Sequence, residues 1–455
     1  MKEKNEEIAD RCPLRPRYHF IAPAYWMNDP NGLIYYKGEY HIFYQHNPYG
    51  ENWGNIHWGH AKSKDLVYWE HLPIALIPSK ERGEIHCFSG NSILVNGIPH
   101  IMYTSIGINK PPSTGAEQWI AISSDDLITW KKSERNPIMI NEIHGDLDIR
   151  DWRDPYLWID DGIYYAILGG HIRKPRKPLV LLYKSEDFYN WEFLHPLLIG
   201  NKSLGKNWEC PNFFKLNDKY ILIVSPHRKV IYSVGNYQNY QFFPENWYIL
   251  DYGSLFYAPN TMKDSHGRII MWGWIQAKGT KGWNGCLTLP RILTLGKDNK
   301  LRFEVVPELK KLRGKYYQIE NKIITKNDGL SSSWLTKLTL EIKLEIKVNM
   351  LTKFLISIYE DNSIELEEIL SYDCNNNEIR VGKEQALFYL KNDENTLQFH
   401  IFIDKSIMEV CVNNEMYIST QISSIFDKPF QLELKSLSGY VKIINLEIWE
   451  LKSIW

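Results

Sequence analysis

A short phrase that recurs along the first half of the chain constrains the fold most. Residues 63–69, 124–130 and 185–191 each begin with serine, continue through an aspartate and an apolar residue, and end in tryptophan, and they are equally spaced; a looser copy covers 233–240. A motif that returns about every 50 to 60 residues in strand-rich sequence is typical of β-propeller blades. We interpret each phrase as the end of one repeated unit.

Each unit also opens in a similar way. The openings lie at 29–33, 89–93, 154–158, 209–213 and 257–261. A short strand, a polar turn and an apolar strand follow each opening, which is the pattern of a β-hairpin. Because the first strand of each propeller blade lines the central axis, we expect Asp29, Asp154 and Glu209 to converge in one funnel.

Beyond residue 300 the pattern changes to strict alternation of apolar and polar residues, as in Leu338–Val348. Such segments are typical of antiparallel sheets packed as a sandwich. No segment of any length shows helical periodicity. We therefore predict an all-β chain, with an N-terminal arm (1–17), a five-bladed β-propeller catalytic domain (18–300), a linker (301–314) and a β-sandwich domain (315–455).

Composition excludes several classes of protein. The net charge of -1 over 455 residues provides no field to attract nucleic acid or an anionic membrane. No stretch is long enough to span a bilayer, and the N-terminus lacks the apolar region of a signal peptide. The six cysteines form no CxxC pair, which argues against a zinc site and a disulfide framework. We expect a cytoplasmic protein without metal or cofactor.

Three carboxylates on one funnel, without metal-ligand histidines, indicate glycoside hydrolysis, which pairs an ionised carboxylate with a protonated carboxyl group. Arg153 precedes Asp154 and favours its anion. Glu209 has apolar neighbours and would face two anions, so we expect a raised pKa and the role of general acid. Asp29, preceded by the neutral donor Asn28, remains for the nucleophile.

These motifs resemble the signatures of glycoside hydrolase family 32. The resemblance rests on residues 26–32, 88–90, 153–155 and 209–210, continues through 283–291, and includes a weaker match at 402–410. It implies a five-bladed propeller plus sandwich and retaining hydrolysis of β-fructofuranosides. It assigns Asp29 as nucleophile, Asp154 as transition-state stabiliser and Glu209 as acid/base. It also implies a fructosyl pocket formed by Trp26, Met27, Asn28, Gln45, Trp53, Phe88, Ser89, Arg153 and Trp283.

Several alternatives remain open. A fructosyltransferase would use the same catalytic residues, a pentosidase on the same propeller would invert, and a sugar-binding module would need no catalytic carboxylates. The basic stretch 171–177 is either a solvated loop or a phosphate site that favours sucrose 6-phosphate. His57 and His60 have the spacing of a helical metal pair, but they lie in a strand-like segment, so we predict no metal. The expected partner is a small sugar, and the sandwich is a candidate surface for a homo-oligomer.

Overall fold

The structure is a computed structural model that describes residues 2–326, 328–333, 335–360, 367–390, 395–422 and 429–455. The predicted arm and sandwich therefore each include residues outside this description. The described chain is nearly all β, as predicted. One helix, α1 (Lys2–Asp10), contradicts the expectation that no segment is helical. The helix has no apolar stripe; Ala9 is buried against Gly282, and Asp10 pairs with Arg15 at 3.3 Å.

The first two thirds of the chain form antiparallel strand groups in sequence order. The strands are β1 (Tyr25–Tyr36), β2 (Glu39–Asn47), β3 (His57–Ser63), β4 (Glu70–Leu76); β5 (Glu84–Val95), β6 (Ile98–Gly107), β7 (Glu117–Ile122), β8 (Lys131–Lys132); β9 (Ile149–Asp160), β10 (Ile163–Ile172), β11 (Lys177–Ser185), β12 (Glu192–Ile199); β13 (Glu209–Leu216), β14 (Lys219–Ser225), β15 (Ile231–Gln238), β16 (Gln241–Ile249); and β17 (Phe256–Lys263), β18 (Ile269–Lys278), β19 (Trp283–Leu287), β20 (Arg291–Leu295), β21 (Leu301–Val305). Short 3-10 helices cover Lys80–Arg82, Asn141–His144, Lys202–Leu204 and Pro307–Leu312.

The first strands of these groups contact one another in a closed ring, in the order β1, β5, β9, β13, β17 and back to β1. The ring also closes through hydrogen bonds, because β1 pairs in parallel with β19 at Tyr25 and Trp283. This pairing joins the first and last groups into one nine-stranded sheet. All the predicted unit openings therefore lie on neighbouring strands around one axis.

The recurring phrase lies between the third and fourth strands of a group rather than at its end, so the unit boundary drawn from the sequence was one strand early. In the first copy, the Asp65 carboxylate accepts the N–H groups of Val67 and Tyr68. These bonds hold the turn in which buried Leu66 has a φ of 63°. Leu127 and Phe188 adopt the same left-handed conformation in the next two copies. Bulky residues rarely adopt the left-handed conformation, and in these three copies the side chain of the residue that does so is buried.

In the C-terminal part, the residues that the structure describes form two six-stranded antiparallel sheets. One contains β22 (Arg313–Thr325), β24 (Thr339–Val348), β29 (Thr396–Asp404), β30 (Ile407–Val412), β31 (Met416–Gln421) and β33 (Tyr440–Leu451); the other contains β23 (Gly329–Ser331), β25 (Lys353–Glu360), β26 (Glu367–Asp373), β27 (Glu378–Val381), β28 (Glu384–Leu387) and β32 (Phe430–Ser438). Their inward side chains form one apolar cluster. In the expected linker, β21 pairs with β20 before the 3-10 helix begins.

A fully buried ionic cluster joins the two parts. His19 bonds to Asp404 (2.8 Å) and Glu409 (2.9 Å) through its two ring nitrogens. Arg291 bonds to Glu409 (2.7 Å) and Asp251 (2.8 Å). Because each charge has an opposite partner, the cluster avoids the large penalty of an unpaired buried charge. It fixes the segment that leads into β1, and with it the first strand of the ring.

Candidate active site

A local irregularity occurs at the same level in each first strand of the ring. Strand pairing skips residues at 27–30, 87–90, 153–156, 209–212 and 257–260. A β-bulge bends its strand and re-aims a side chain. Asp154 (φ 64°) and Cys210 (φ 44°) show this in their left-handed backbone. The bulges direct the three predicted carboxylates toward one another.

Asp29 is buried, with 9% of its surface exposed, and it accepts several hydrogen bonds. Ser89 Oγ donates at 2.5 Å, Asn28 Nδ2 at 3.1 Å and Gln45 Nε2 at 3.4 Å. Burial raises the pKa of Asp29, with a contribution from the charge of Glu209, whereas the hydrogen bonds oppose the rise. The donors fix the orientation of the carboxylate and stabilise its charged form.

Asp154 lies beside Asp29 and shares a partner with it. The Cys210 sulfur is 3.5 Å from Oδ2 of Asp29 and 3.5 Å from Oδ2 of Asp154. The Cys210 N–H donates to the same Asp154 oxygen at 3.0 Å, and the Asp154 N–H donates to Thr104 Oγ1. Burial, helped by the two neighbouring carboxylates, raises the pKa of the Cys210 thiol, so the thiol keeps its one proton and can donate it to either acid.

Glu209 is surrounded by cations and donors. Arg153 forms a short ion pair with Oε1, His227 Nε2 lies 3.1 Å from the same oxygen, and the Tyr257 hydroxyl donates to Oε2 at 2.6 Å. Burial opposes ionisation of Glu209, but Arg153, His227 and Tyr257 together lower its pKa to about 2. The glutamate is therefore an anion in the free protein.

This reverses the order of acidities inferred from the sequence. Glu209 was expected to have the raised pKa, and Asp154 to be kept ionised by Arg153. The guanidinium instead contacts Glu209 closely and lies 3.8 Å from Asp154. Burial, helped by the charges of Glu209 and Asp29, raises the pKa of Asp154 to about 7 even though Arg153 opposes the rise. The prediction was wrong because sequence adjacency does not give the direction of a long side chain.

The predicted binding residues separate into two sets. Trp26 donates its indole N–H to Asn28 (2.7 Å), Asn28 donates to Gln45 (2.7 Å), and Gln45 donates to Ser89. This chain of hydrogen bonds ends on Asp29. Around it, Trp53 is half exposed and packs on the ring of Phe88 (6.1 Å between centroids), and Arg153 binds Glu209. Five of the seven thus connect to the acids directly or through this chain, whereas Trp53 and Phe88 contact each other beside Ser89.

Met27 and Trp283 lie elsewhere. Both are fully buried in the main apolar cluster. The thioether of Met27 accepts the N–H of Ala22 at 3.0 Å. Because alternate residues of a strand point to opposite faces, Met27 faces the core while Trp26 and Asn28 face the funnel.

Sequence reasoning gave no role to three residues that contact the acids, namely Tyr257, His227 and Cys210. Tyr257 begins the fifth unit opening, so its position in the ring carried a signal that was not used. His227 lies in a loop, where only the fold brings it to Glu209. Within the described ranges, no group of three or more metal-ligand side chains is arranged to hold an ion, and no helix is long and apolar enough to cross a membrane.

Comparison with known proteins gives a consistent result over nearly the whole chain. Residues 19–304 match the model of the glycosyl hydrolases family 32 N-terminal domain, and residues 308–450 match that of the family 32 C-terminal domain. The chain is 31% identical to a sucrose-6-phosphate hydrolase of Zymomonas mobilis, with 96% of this chain and 92% of the relative covered. It is 34% identical to a β-fructofuranosidase (insoluble isoenzyme 3) of Oryza sativa, with 75% and 65% covered.

Solved structures agree with these relatives. A family 32 β-fructofuranosidase of Bombyx mori superposes with a TM-score of 0.82 at 28% identity, over 100% of this chain and 98% of the other. A mutant of the same enzyme in complex with sucrose superposes with a TM-score of 0.83, also at 28% identity, over 99% and 96%. A sucrose-6-phosphate hydrolase of Lactobacillus gasseri has a TM-score of 0.85 at 22% identity, over 100% and 96%, and shares the fold.

Proposed function

The chain belongs to glycosyl hydrolase family 32, and on that premise we infer that it is a β-fructofuranosidase that releases fructose from sucrose, sucrose 6-phosphate or short fructo-oligosaccharides. We propose that it does so with retention of configuration. The observation that carries the mechanism is the meeting of Asp29, Asp154 and Glu209, with Cys210 in contact with both aspartates. Two of the acids suffice for double displacement, and the third is left to bind the sugar.

In the first step Asp29 attacks the fructosyl anomeric carbon while Glu209 protonates the glycosidic oxygen, and a covalent fructosyl-enzyme forms. In the second step Glu209 takes a proton from water, and the water oxygen displaces Asp29. The Ser89 and Asn28 donors hold Asp29 in one rotamer for the attack. The role of Asp154 is to bind fructosyl hydroxyl groups more strongly as the ring flattens.

Replacing either reacting carboxylate tests these roles. Asp29→Asn and Glu209→Gln should each reduce kcat for sucrose by several orders of magnitude, because each removes a group that acts only in the reaction. Cys374→Ser, in the sandwich, is the control for a buried polar change far from the site. Retention of near-normal turnover by either variant would contradict the mechanism. Sugar transfer in place of hydrolysis would appear as trisaccharide at high sucrose.

The finer features of the fold are part of the same proposal. We propose that the ring of strand groups is a five-bladed propeller, with the domain ranges given from the sequence. The six cysteines are all unpaired, which suits a reducing cytoplasm. An oligomer through the sandwich stays a prediction, and size-exclusion chromatography with light scattering measures it.

We propose the basic stretch as the site that favours a phosphorylated substrate. Arg173 is 54% exposed and forms a loose ion pair with Asp148 (3.6 Å), and Arg176 donates to the Lys206 carbonyl (3.1 Å). Both guanidinium groups keep unused donors that would suit a phosphate. The double change Arg173→Gln and Arg176→Gln should raise KM for sucrose 6-phosphate and leave KM for sucrose unchanged.

The matched control removes an exposed arginine from the sandwich, Arg380→Gln, whose guanidinium also pairs with an acid. Equal KM changes for both sugars would assign the loop a structural role. No change for either sugar would place the phosphate elsewhere.

A further inference from the structure

One histidine contacts the proposed acid/base directly. His227 lies in the loop between β14 and β15, with 56% of its side chain exposed, and its Nε2 is 3.1 Å from Glu209 Oε1. Glu209 itself is only 13% exposed. The imidazole therefore joins the buried carboxylate to solvent.

The position of the imidazole is fixed by the backbone. His227 has a φ of 59°, a conformation that few residues other than glycine adopt. The backbone N–H of His227 donates to the Tyr257 hydroxyl at 3.0 Å, and this hydroxyl donates to Glu209 Oε2 at 2.6 Å. His227 and Tyr257 thus bind the two oxygens of one carboxylate and are bonded to each other. Such a closed arrangement restrains the imidazole–carboxylate distance.

The charges around His227 come from three strands. Glu209 on β13 and Asp151 on β9 favour the imidazolium, whereas Arg153 on β9 opposes it. Tyr257 on β17 stays neutral, because burial and Glu209 raise its pKa. The hydrogen bond to Glu209 dominates, and the pKa of His227 is raised.

The two basic residues that follow in the loop point to other partners. Arg228 binds the Ser203 carbonyl and Lys229 binds the Tyr252 carbonyl.

We propose that His227 holds the catalytic proton of the free enzyme and transfers it to Glu209 during catalysis. The proposal rests on the role of Glu209 given above. The imidazolium first gives its Nε2 proton to Glu209 Oε1, which leaves a neutral imidazole, and Glu209 then gives this same proton to the glycosidic oxygen. The bond from that oxygen to the anomeric carbon breaks as the Asp29 oxygen forms its own. In the second step Glu209 takes a proton from water and returns it to Nε2, while the water oxygen bonds to the anomeric carbon and the fructosyl–Asp29 bond breaks.

The consequence is a wider working pH range. Without His227, a Glu209 carboxyl group beside Arg153 would already be ionised at acidic pH. The His227–Glu209 pair instead keeps one shared proton until the imidazole titrates, at a pKa above its usual value. Activity that depends on proton donation by Glu209 is therefore retained at neutral pH, and it falls at alkaline pH as His227 loses its proton.

The variant His227→Gln tests this, since glutamine keeps a hydrogen-bond donor but does not titrate. We expect the alkaline limb of kcat/KM for sucrose to move to lower pH by about one unit or more, so that above about pH 7 kcat/KM is at least about tenfold below the wild-type value. With p-nitrophenyl β-fructofuranoside, whose leaving group needs little protonation, the variant should keep near wild-type kcat/KM throughout.

The control is His266→Gln, which changes an exposed histidine paired with Asp264 (3.6 Å) on another loop. An unmoved alkaline limb, or a uniform loss with both substrates, would overturn the proposal. The ratio of activity on sucrose to activity on p-nitrophenyl β-fructofuranoside within one preparation does not depend on the folded fraction. A destabilised variant therefore still tests the proposal. Full activity of Glu209→Gln would instead overturn the proposed function.

Discussion

The hydrogen bond from Ser89 to Asp29 gives a prediction with a calculable size. Ser89→Ala removes a donor 2.5 Å from Asp29 Oδ2. A hydrogen bond to a charged group contributes about 1.5–3 kcal/mol, and each pKa unit corresponds to about 1.4 kcal/mol. The pKa of Asp29, already raised by burial, should therefore rise by about one to two further units.

The assay is the pH dependence of kcat/KM for sucrose. The nucleophile must be ionised, so activity falls as pH falls through the pKa of Asp29. A higher pKa moves this acidic limb to higher pH. Because Asp29 and Asp154 interact, the limb reports an apparent value for the pair. The variant should recover toward wild-type activity as pH increases, which simple misfolding would not produce.

Ser92→Ala is the matched control. Ser92 lies on the same strand, is buried, and donates to the Gly32 carbonyl at 2.7 Å rather than to a carboxylate. Its loss should leave the limb in place. A Ser89→Ala profile whose acidic limb coincides with that of the wild type would refute the reasoning, because it would mean that the serine does not stabilise the Asp29 anion.

Two further predictions concern the frame around the site. Gly169→Ala would place a Cβ 2.2 Å from the Trp208 carbonyl oxygen. The substitution should therefore displace the start of β13, lower Tm and lower kcat, with a smaller effect on KM. Unchanged kinetics would show that β13 tolerates the shift. His19→Gln should lower the free energy of unfolding, because Asp404 and Glu409 raise the pKa of His19 from 6.5 to about 9 against the opposing effect of burial. This contribution, roughly 3 kcal/mol, is fully present below about pH 6.5 and is lost as pH rises through about 9. The urea-unfolding curves of variant and wild type should therefore converge in alkaline solution, and a constant difference would contradict the linkage.

The sequence was sufficient for the strand pattern and for the acids, because both depend on local signals. Period-two alternation and turn residues predict strands, and matching unit openings predict that Asp29, Asp154 and Glu209 meet. Helix α1 was missed because its residues carry no apolar periodicity. The unit boundary was misplaced because the fourth strands share no common sequence pattern and differ widely in length, from Lys131–Lys132 to Gln241–Ile249.

The acidities were not predictable for a different reason. A pKa depends on where long side chains point, and Arg153 lies closer to Glu209 in the next unit than to its own neighbour Asp154. His227, from the β14–β15 loop of the same strand group, and Tyr257, from β17 of the next group, complete the surroundings of Glu209. Such contacts are created by the closed ring of strands and have no counterpart in sequence spacing.

The central claim is that Asp29 forms a bond to the sugar while Glu209 handles the proton, and trapping the intermediate tests it most directly. Glu209→Ala should still be fructosylated by p-nitrophenyl β-fructofuranoside but should hydrolyse the intermediate slowly, since the base is absent. Acid quenching and peptide mass spectrometry should then find one fructosyl group on the peptide that contains Asp29. An unmodified Asp29 peptide during turnover, or a fructosyl group on Asp154, would contradict the account.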